Sequence, residues 1–426
     1  MQYLFSRALT MAWTGLFAAV AAATDLEVAS GPPMTLTGAV QLALQTHPEL
    51  AGFAFDVQAQ QALSRQSQLR PAPELDLLVE DIGGSGARSG IESAQTTLSL
   101  SQVIELGGKR DARSAVAAAR LDRQRSEQAV RQLDIVAEVA RRFIATLAQQ
   151  SRVLIARESL SLAESTALAV ERRVRAAAAP EAESARAQVA VAEARLDLED
   201  AIHNLATRRH SLAAATGAAE ADFGEAQGEL LLLPAAAVFG DWVARLRASP
   251  DFLRFADEQR LRDAEVQLAE RQRRADLRAT IGVRRYEIGD DVGMVAGIGL
   301  PLFASARATP QIDALRAEQG RIEFDRQSAF LKAQDQLFAR YQEMEHARHV
   351  AGVVRDEVLP QLESALEKTR YAYLRGRYSY LEWADAQQRL LTARVRLIDA
   401  AADFHSNRID IERLAGESLA TTGDRP

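Results

Sequence analysis

Glu382 and Asp385 stand three residues apart, the spacing that puts two side chains on one face of a helix. On an isolated helix they are two solvated carboxylates; gathered with copies of themselves they repel one another and attract cations. His346 and His349, with Glu343 and Glu345 just upstream, offer two imidazoles at helical spacing but no third convergent ligand. They read as a solvated helix surface, not a metal site, and so do His203 and His210, two turns apart. The chain carries no Ser–His–Asp set, no Gly-rich phosphate loop and no His-Glu-x-x-His run. Catalysis therefore has no candidate residues, no cofactor is expected, and the reading is of a protein that is not an enzyme.

These residues lie on two helical stretches of unusual length. From 109 to 217 the chain is rich in Ala, Arg, Glu, Gln and Leu, interrupted only at 176–180. Apolar residues recur there in steps of three and four: Leu133, Val136, Ala140, Phe143 and Leu147, then Ala185, Val189, Ala192 and Leu196. That is coiled-coil periodicity. A helix of roughly seventy residues at about 1.5 Å each is about 100 Å long, too long for a compact domain. Such hairpins must pack lengthwise on others like them. A second copy of the plan runs over 309–416, broken at Gly376–Ser379, where Gly supplies backbone freedom and Ser379 can cap the returning helix. Pro360 lies inside the second stretch, between about 312 and 374; it removes a hydrogen bond to Asp356 and predicts a kink.

The rest of the chain repeats as well. At an offset of 202 residues Gly38 matches Gly240, Leu44 matches Leu246, Pro48-Glu49 matches Pro250-Asp251 and Leu75 matches Leu277; in the hairpins the offset is 199, pairing Gln188 with Gln387 and Gly217 with Gly416. Two sustained offsets indicate an internal duplication, 35–217 and 238–416, joined by a linker over 218–237 and followed by a flexible tail at 417–426. In each half, period-two patterning predicts two strands: about 73–83 and 95–105, then about 276–288 and 293–303. Leu75, Leu77 and Val79 alternate with Glu74, Asp76, Leu78 and Glu80; Ile281 and Val283 alternate with Thr280 and Arg284. Each run of about ten residues is long enough to cross a bilayer as a tilted strand. Four strands cannot close a barrel, and an open sheet edge is not tolerated in lipid, so several chains would have to share one barrel.

The formal charge of −7, with no basic block, argues against nucleic acid. The absence of cysteine excludes disulfides, thiolate metal sites and a lipid-modified N-terminal Cys. Arg7, the apolar run 8–20 and Ala21-Ala22-Ala23 read as a secretion signal over 1–23, cleaved near Thr24.

Three stretches carry a family resemblance. They are Leu36-Thr37-Gly38-Ala39-Val40 with His47-Pro48-Glu49-Leu50, Leu100-Ser101-Gln102 running into Glu105-Leu106-Gly107-Gly108-Lys109-Arg110, and Gly376-Arg377-Tyr378-Ser379-Tyr380-Leu381-Glu382 with Asp385-Ala386-Gln387. The chain resembles the TolC family of outer-membrane efflux proteins, most of all its heavy-metal (cobalt–zinc–cadmium) branch, from about residue 35 to 416. The resemblance implies a mainly α homotrimer with a transmembrane β part: four strands per chain in a twelve-stranded outer-membrane barrel, and helical hairpins forming a periplasmic α-barrel. It implies a passive duct, docked through a periplasmic adaptor onto an inner-membrane pump of the resistance–nodulation–division type. By the same resemblance Gly376, Arg377, Tyr378 and Ser379 form an adaptor-contacting tip, and Glu382 and Asp385 an acidic periplasmic gate. The first tip departs from the pattern, with Ala177 in place of the glycine and Pro180 in place of the serine. Rival readings are a duct for organic drugs or secreted polypeptides and, from another class, a periplasmic coiled-coil adaptor or scaffold. An adaptor needs a β-domain between its hairpin arms, for which 177–180 leaves no room.

Overall fold

The structure, a computed structural model, describes residues 31–417; the expected secretion signal and all but the first residue of the expected tail lie outside them. The chain opens with β1 (Met34–Thr35) and α1 (Leu36–Thr46), whose start is capped by the Thr35 Oγ1, accepting the Gly38 N–H at 3.1 Å. Then come α2 (Pro48–Ser67), β2 (Glu74–Glu80), β3 (Gln95–Ile104), the 67-residue α3 (Lys109–Arg175) and α4 (Glu181–Thr216). The connecting segment holds β4 (Ala226–Gln227), paired in parallel with β1. The same order then recurs: α5 (Phe239–Arg247), α6 (Pro250–Gln272), β5 (Leu277–Tyr286), β6 (Val292–Gly299), α7 (Ala304–Val353), α8 (Leu359–Leu374) and α9 (Tyr380–Ala415). Glycine ends both return helices for one reason. Gly217 and Gly416 both take positive φ, and a Cβ would strike the backbone of Thr46 and His47 in one case and the Pro250 ring and Ser249 in the other.

The four long strands form one antiparallel sheet in the order β2-β3-β5-β6, so the two halves meet at β3 and β5. Directly opposed residues share a face. One face carries the rows Leu75–Leu100–Ile281–Ala296 and Leu77–Leu98–Val283–Met294. These side chains are exposed, Met294 to 90%. The other face is mostly polar, with Leu78 and Val295 as apolar members: Ser101 and Thr280 share a 2.9 Å hydrogen bond, and Arg284 donates to Thr97, Gln95 and Glu80 at 2.8–3.0 Å. A sheet apolar on its exposed outer face and polar within is the pattern of a lipid-facing barrel wall. Its outer strands, β2 and β6, each have one unpaired edge.

Below the sheet the helices continue as an arc. Nearest the strands, α2 packs on α3, α3 on α6 and α6 on α7; further along, α4 packs on α3, α3 on α9, and α9 on α7 and α8. The layers join at a band where α1, α5 and the connecting segment cover α3 and α9, with Phe143, Leu212, Trp242, Leu337 and Phe404 buried. Arg413 pins this band, contacting Asp134 of α3 at 2.6 Å and Asp251 of α6 at 2.5 Å.

Three details differ from the sequence reading. The α3 seam through Val136, Ala140, Phe143 and Leu147 is buried, but Ala185, Val189, Ala192 and Leu196 on α4 are exposed; Ala187, Ala194 and Ala201 face α3 instead. Helix α4 carries two apolar stripes, and periodicity alone does not say which one meets the partner. Helix α7 begins at Ala304 and takes Pro310 within its second turn, because Phe303 supplies the left-handed start. Finally, the chain meets Pro360 with a π turn over Val354–Val358, a wider turn that absorbs the missing N–H next to the start of α8.

Candidate gate at the hairpin tips

Both hairpins turn within five residues, and both turns use a left-handed residue: Ala177 at φ 51° and Gly376 at φ 74°. Alanine in that region costs about 1–2 kcal/mol, so the first tip holds strain that the second avoids. Pro180 sits at the N-cap of α4, one step before the first helical turn, and has no side-chain oxygen to cap it. Ser379 caps α9 fully. Its Oγ accepts the Glu382 N–H at 3.4 Å, while Glu382 Oε2 accepts the Ser379 N–H at 2.7 Å. This capping box gives Glu382 a structural duty the sequence reading did not assign, although Ser-x-x-Glu before a helix is its signature. Asp385, one turn on, pairs with Arg389 at 2.7 Å, both side chains well exposed. Arg377 and Tyr378 are also exposed at the tip.

The two tips are tied to each other through residues with no sequence motif. Tyr373, completely buried, donates its hydroxyl to Glu183 Oε2 at 3.0 Å across the hairpins. Arg173 donates to the Tyr373 carbonyl and, at 2.9 Å, to the Ala178 carbonyl, with its guanidinium 4.4 Å from the Tyr373 ring centre. Trp383 packs on the same ring at 5.1 Å, and Gln387 donates to Thr166 at 2.8 Å within the buried layer behind it. Burial and the bond to Glu183 push the Tyr373 hydroxyl up to about 12. Beside this cluster a cleft between α3, α4 and α9 is lined by Glu193, Asp197 and Asp385 over an apolar floor.

His346 with His349, and His203 with His210, do not converge: among the described residues no group of three His, Asp or Glu side chains is placed to hold a metal ion. Also among the described residues, no helix is long and apolar enough to cross a membrane.

Residues 39–218 match the family model described as outer membrane efflux protein. The chain is 28% identical over 384 residues to the cobalt-zinc-cadmium resistance protein CzcC of Cupriavidus metallidurans, covering 90% of each. The first half of this chain thus carries the outer membrane efflux protein pattern, and nearly its whole length aligns with a metal-resistance protein. The chain is also 26% identical to the nickel-cobalt-cadmium resistance protein NccC of Alcaligenes xylosoxydans xylosoxydans, over 74% of this chain and 72% of the relative. Its fold matches the crystal structure of CusC, a transmembrane channel, with a TM-score of 0.74 at 17% identity, over 90% of this chain and 92% of that one. The protein is therefore an outer-membrane efflux channel whose helical and sheet parts match those of solved transmembrane channels rather than of enzymes.

Proposed function

We propose that three copies of this chain form the exit duct of a tripartite efflux system for heavy-metal cations. One observation carries the assembly: the protomer has unsatisfied ends at every level. The sheet has free edges at β2 and β6. Below it Phe324, Leu331 and Phe338, seven apart on α7, lie exposed on the side away from buried Ile322 and Leu337, and Phe55 is exposed on α2. Lower still the second apolar stripe of α4 is uncovered. A sheet edge in hydrocarbon leaves backbone groups unsatisfied at several kcal/mol each, so closure on further copies is the physical remedy. Three copies give twelve strands, with the polar face lining the duct. The repeats 35–217 and 238–416 then supply equivalent arcs hinged by 218–237.

At the closed end, Glu382 and Asp385 from three chains form the acidic gate, and Ala177, Pro180 and Gly376–Ser379 present the surface for a periplasmic adaptor that couples the duct to a resistance–nodulation–division pump. The π turn before Pro360 gives the second hairpin a compliant segment that the first lacks, suiting it to move more on opening. The cargo follows from the relatives: both are resistance proteins for cobalt, cadmium and a third divalent metal. Cells lacking this chain should become sensitive to cobalt, zinc and cadmium and accumulate them, while tolerance to organic dyes stays as it was. Dye sensitivity with unchanged metal tolerance would place the duct in the drug-exporting class instead.

A further inference from the structure

We propose that the junction of β6 and α7 is a membrane-interface anchor, in which Leu300, Leu302 and Phe303 enter the periplasmic-side leaflet and Arg273, Arg274 and Arg307 bind the phosphates of anionic phospholipids. The proposal rests on the outer-membrane placement of the sheet and assigns a role to residues just beyond it.

The first argument is dimensional. On β5 the outward rows run from Leu277 to Arg285, which is paired with Val292 of β6. Eight steps of about 3.4 Å span about 27 Å along the strand, or about 21 Å along the membrane normal at a tilt near 40°. The apolar band of such a barrel is about 25 Å tall, so the rows fall roughly 4 Å short. Leu300, Leu302 and Phe303 continue directly below the last row of β6 and are 54%, 69% and 78% exposed. They supply the missing height.

The second argument is local. Phe303 starts α7 at φ 63°, a left-handed conformation; at the matching start of α3 the chain uses Gly108, at φ 74°. A Phe there is conformationally unfavourable and its ring covers no core, so packing within the protomer does not account for it. A large ring at the edge of the hydrocarbon does.

The third argument is charge. Arg273 reaches Ser305 beside Phe303, Arg307 donates its backbone N–H to the Phe303 carbonyl at 3.3 Å, and Arg274 lies over Gly107. All three are exposed, and among the described residues none has a carboxylate within 4 Å. The carboxylates at this level are already engaged: Asp276 with Lys109 at 2.7 Å, Glu105 with Arg113 at 2.5 Å. In a chain of net charge −7, three unpaired guanidinium groups level with an apolar collar fit a layer of phosphates.

The test uses the full-length channel reconstituted in phosphatidylcholine vesicles, with and without phosphatidylglycerol. Phe303→Trp should be quenched most by lipids brominated near the glycerol end of the chains, while Met294→Trp on the sheet is quenched by bromines nearer the chain ends. Arg273→Gln, Arg274→Gln and Arg307→Gln together should weaken the preference for phosphatidylglycerol, by roughly fivefold per arginine at low salt. Phe303→Gly should lose lipid retention while keeping or raising thermal stability in detergent, a combination that a purely structural role does not give. If Met294→Trp is quenched but Phe303→Trp is not, or the triple variant keeps its lipid preference, the anchor is wrong and the membrane placement stands. If neither tryptophan is quenched, the membrane placement fails and the anchor with it.

Discussion

Arg173→Ala should loosen the closed end of the duct, raising mean single-channel conductance in planar bilayers and shifting Trp383 emission to the red. Arg173 ties the two hairpin tips together, giving charged hydrogen bonds to the carbonyls of Tyr373 and Ala178 and stacking on the Tyr373 ring. Bonds from a charged donor contribute about 1.5–3 kcal/mol each and the ring contact about 0.5–2, so the tip loses on the order of 3 kcal/mol after relaxation. Tyr373→Phe removes only the bond to Glu183 and should act in the same direction at about 1 kcal/mol. The same contact gives a pH dependence with a defined sign. The folded-state hydroxyl is raised from about 10 to about 12, so its stabilisation is complete below pH 10 and disappears as the pH climbs toward 12. An alkaline titration should therefore loosen the wild-type tip in that window and loosen Tyr373→Phe less, because Tyr380 in the same cluster, its hydroxyl also raised by burial, still titrates. Conductance that is identical in wild type and Arg173→Ala would mean that contacts between copies, not the Arg173 bridge, hold the tip.

The second large effect concerns charge. Glu382→Gln with Asp385→Asn keeps the capping box, because glutamine serves at its third position, and so separates electrostatics from helix stability. In the single chain Asp385 is already offset by Arg389, so three copies carry a net −3 at this level; the double variant releases Arg389 and makes it +3. For six charges changed about 8 Å from an axis, the unscreened difference for a monovalent cation is about 3 kcal/mol, and a Debye length of about 8 Å reduces it to about 1. Cation over anion preference should fall on the order of tenfold at low salt and less at high salt. Glu382→Ala with Asp385→Ala should also lose about 1 kcal/mol at the start of α9. Unchanged ion preference in the Gln/Asn variant would remove these carboxylates from the gate.

Much of this architecture was legible because the two solvents impose different patterns. A strand between lipid and water must alternate, and it does at Leu75, Leu77 and Val79; a long helix must avoid Gly and Pro, and those residues mark both turns. The contacts between hairpins were not legible. Tyr373 and Glu183 are 190 residues apart, and neither belongs to a motif that names the other. Nor does the sequence say which of the two apolar stripes of α4 meets the hairpin partner, because both have the same period. Glu382 is the instructive case: its cap was readable from Ser379 three residues before it, as the Ser-x-x-Glu signature of a helix start.

The free edges of the sheet are tested most directly by cross-linking. The chain has no cysteine, so Val79→Cys on β2 combined in turn with a cysteine at each β6 position from Val292 to Gly299 adds the only thiols present. Oxidised in the outer membrane, the best-matched pair should give a covalent ladder that ends at three mature chains. A mature protein that stays a water-soluble monomer, or a ladder that stops at two or runs past three, would contradict closure of one barrel by three incomplete arcs.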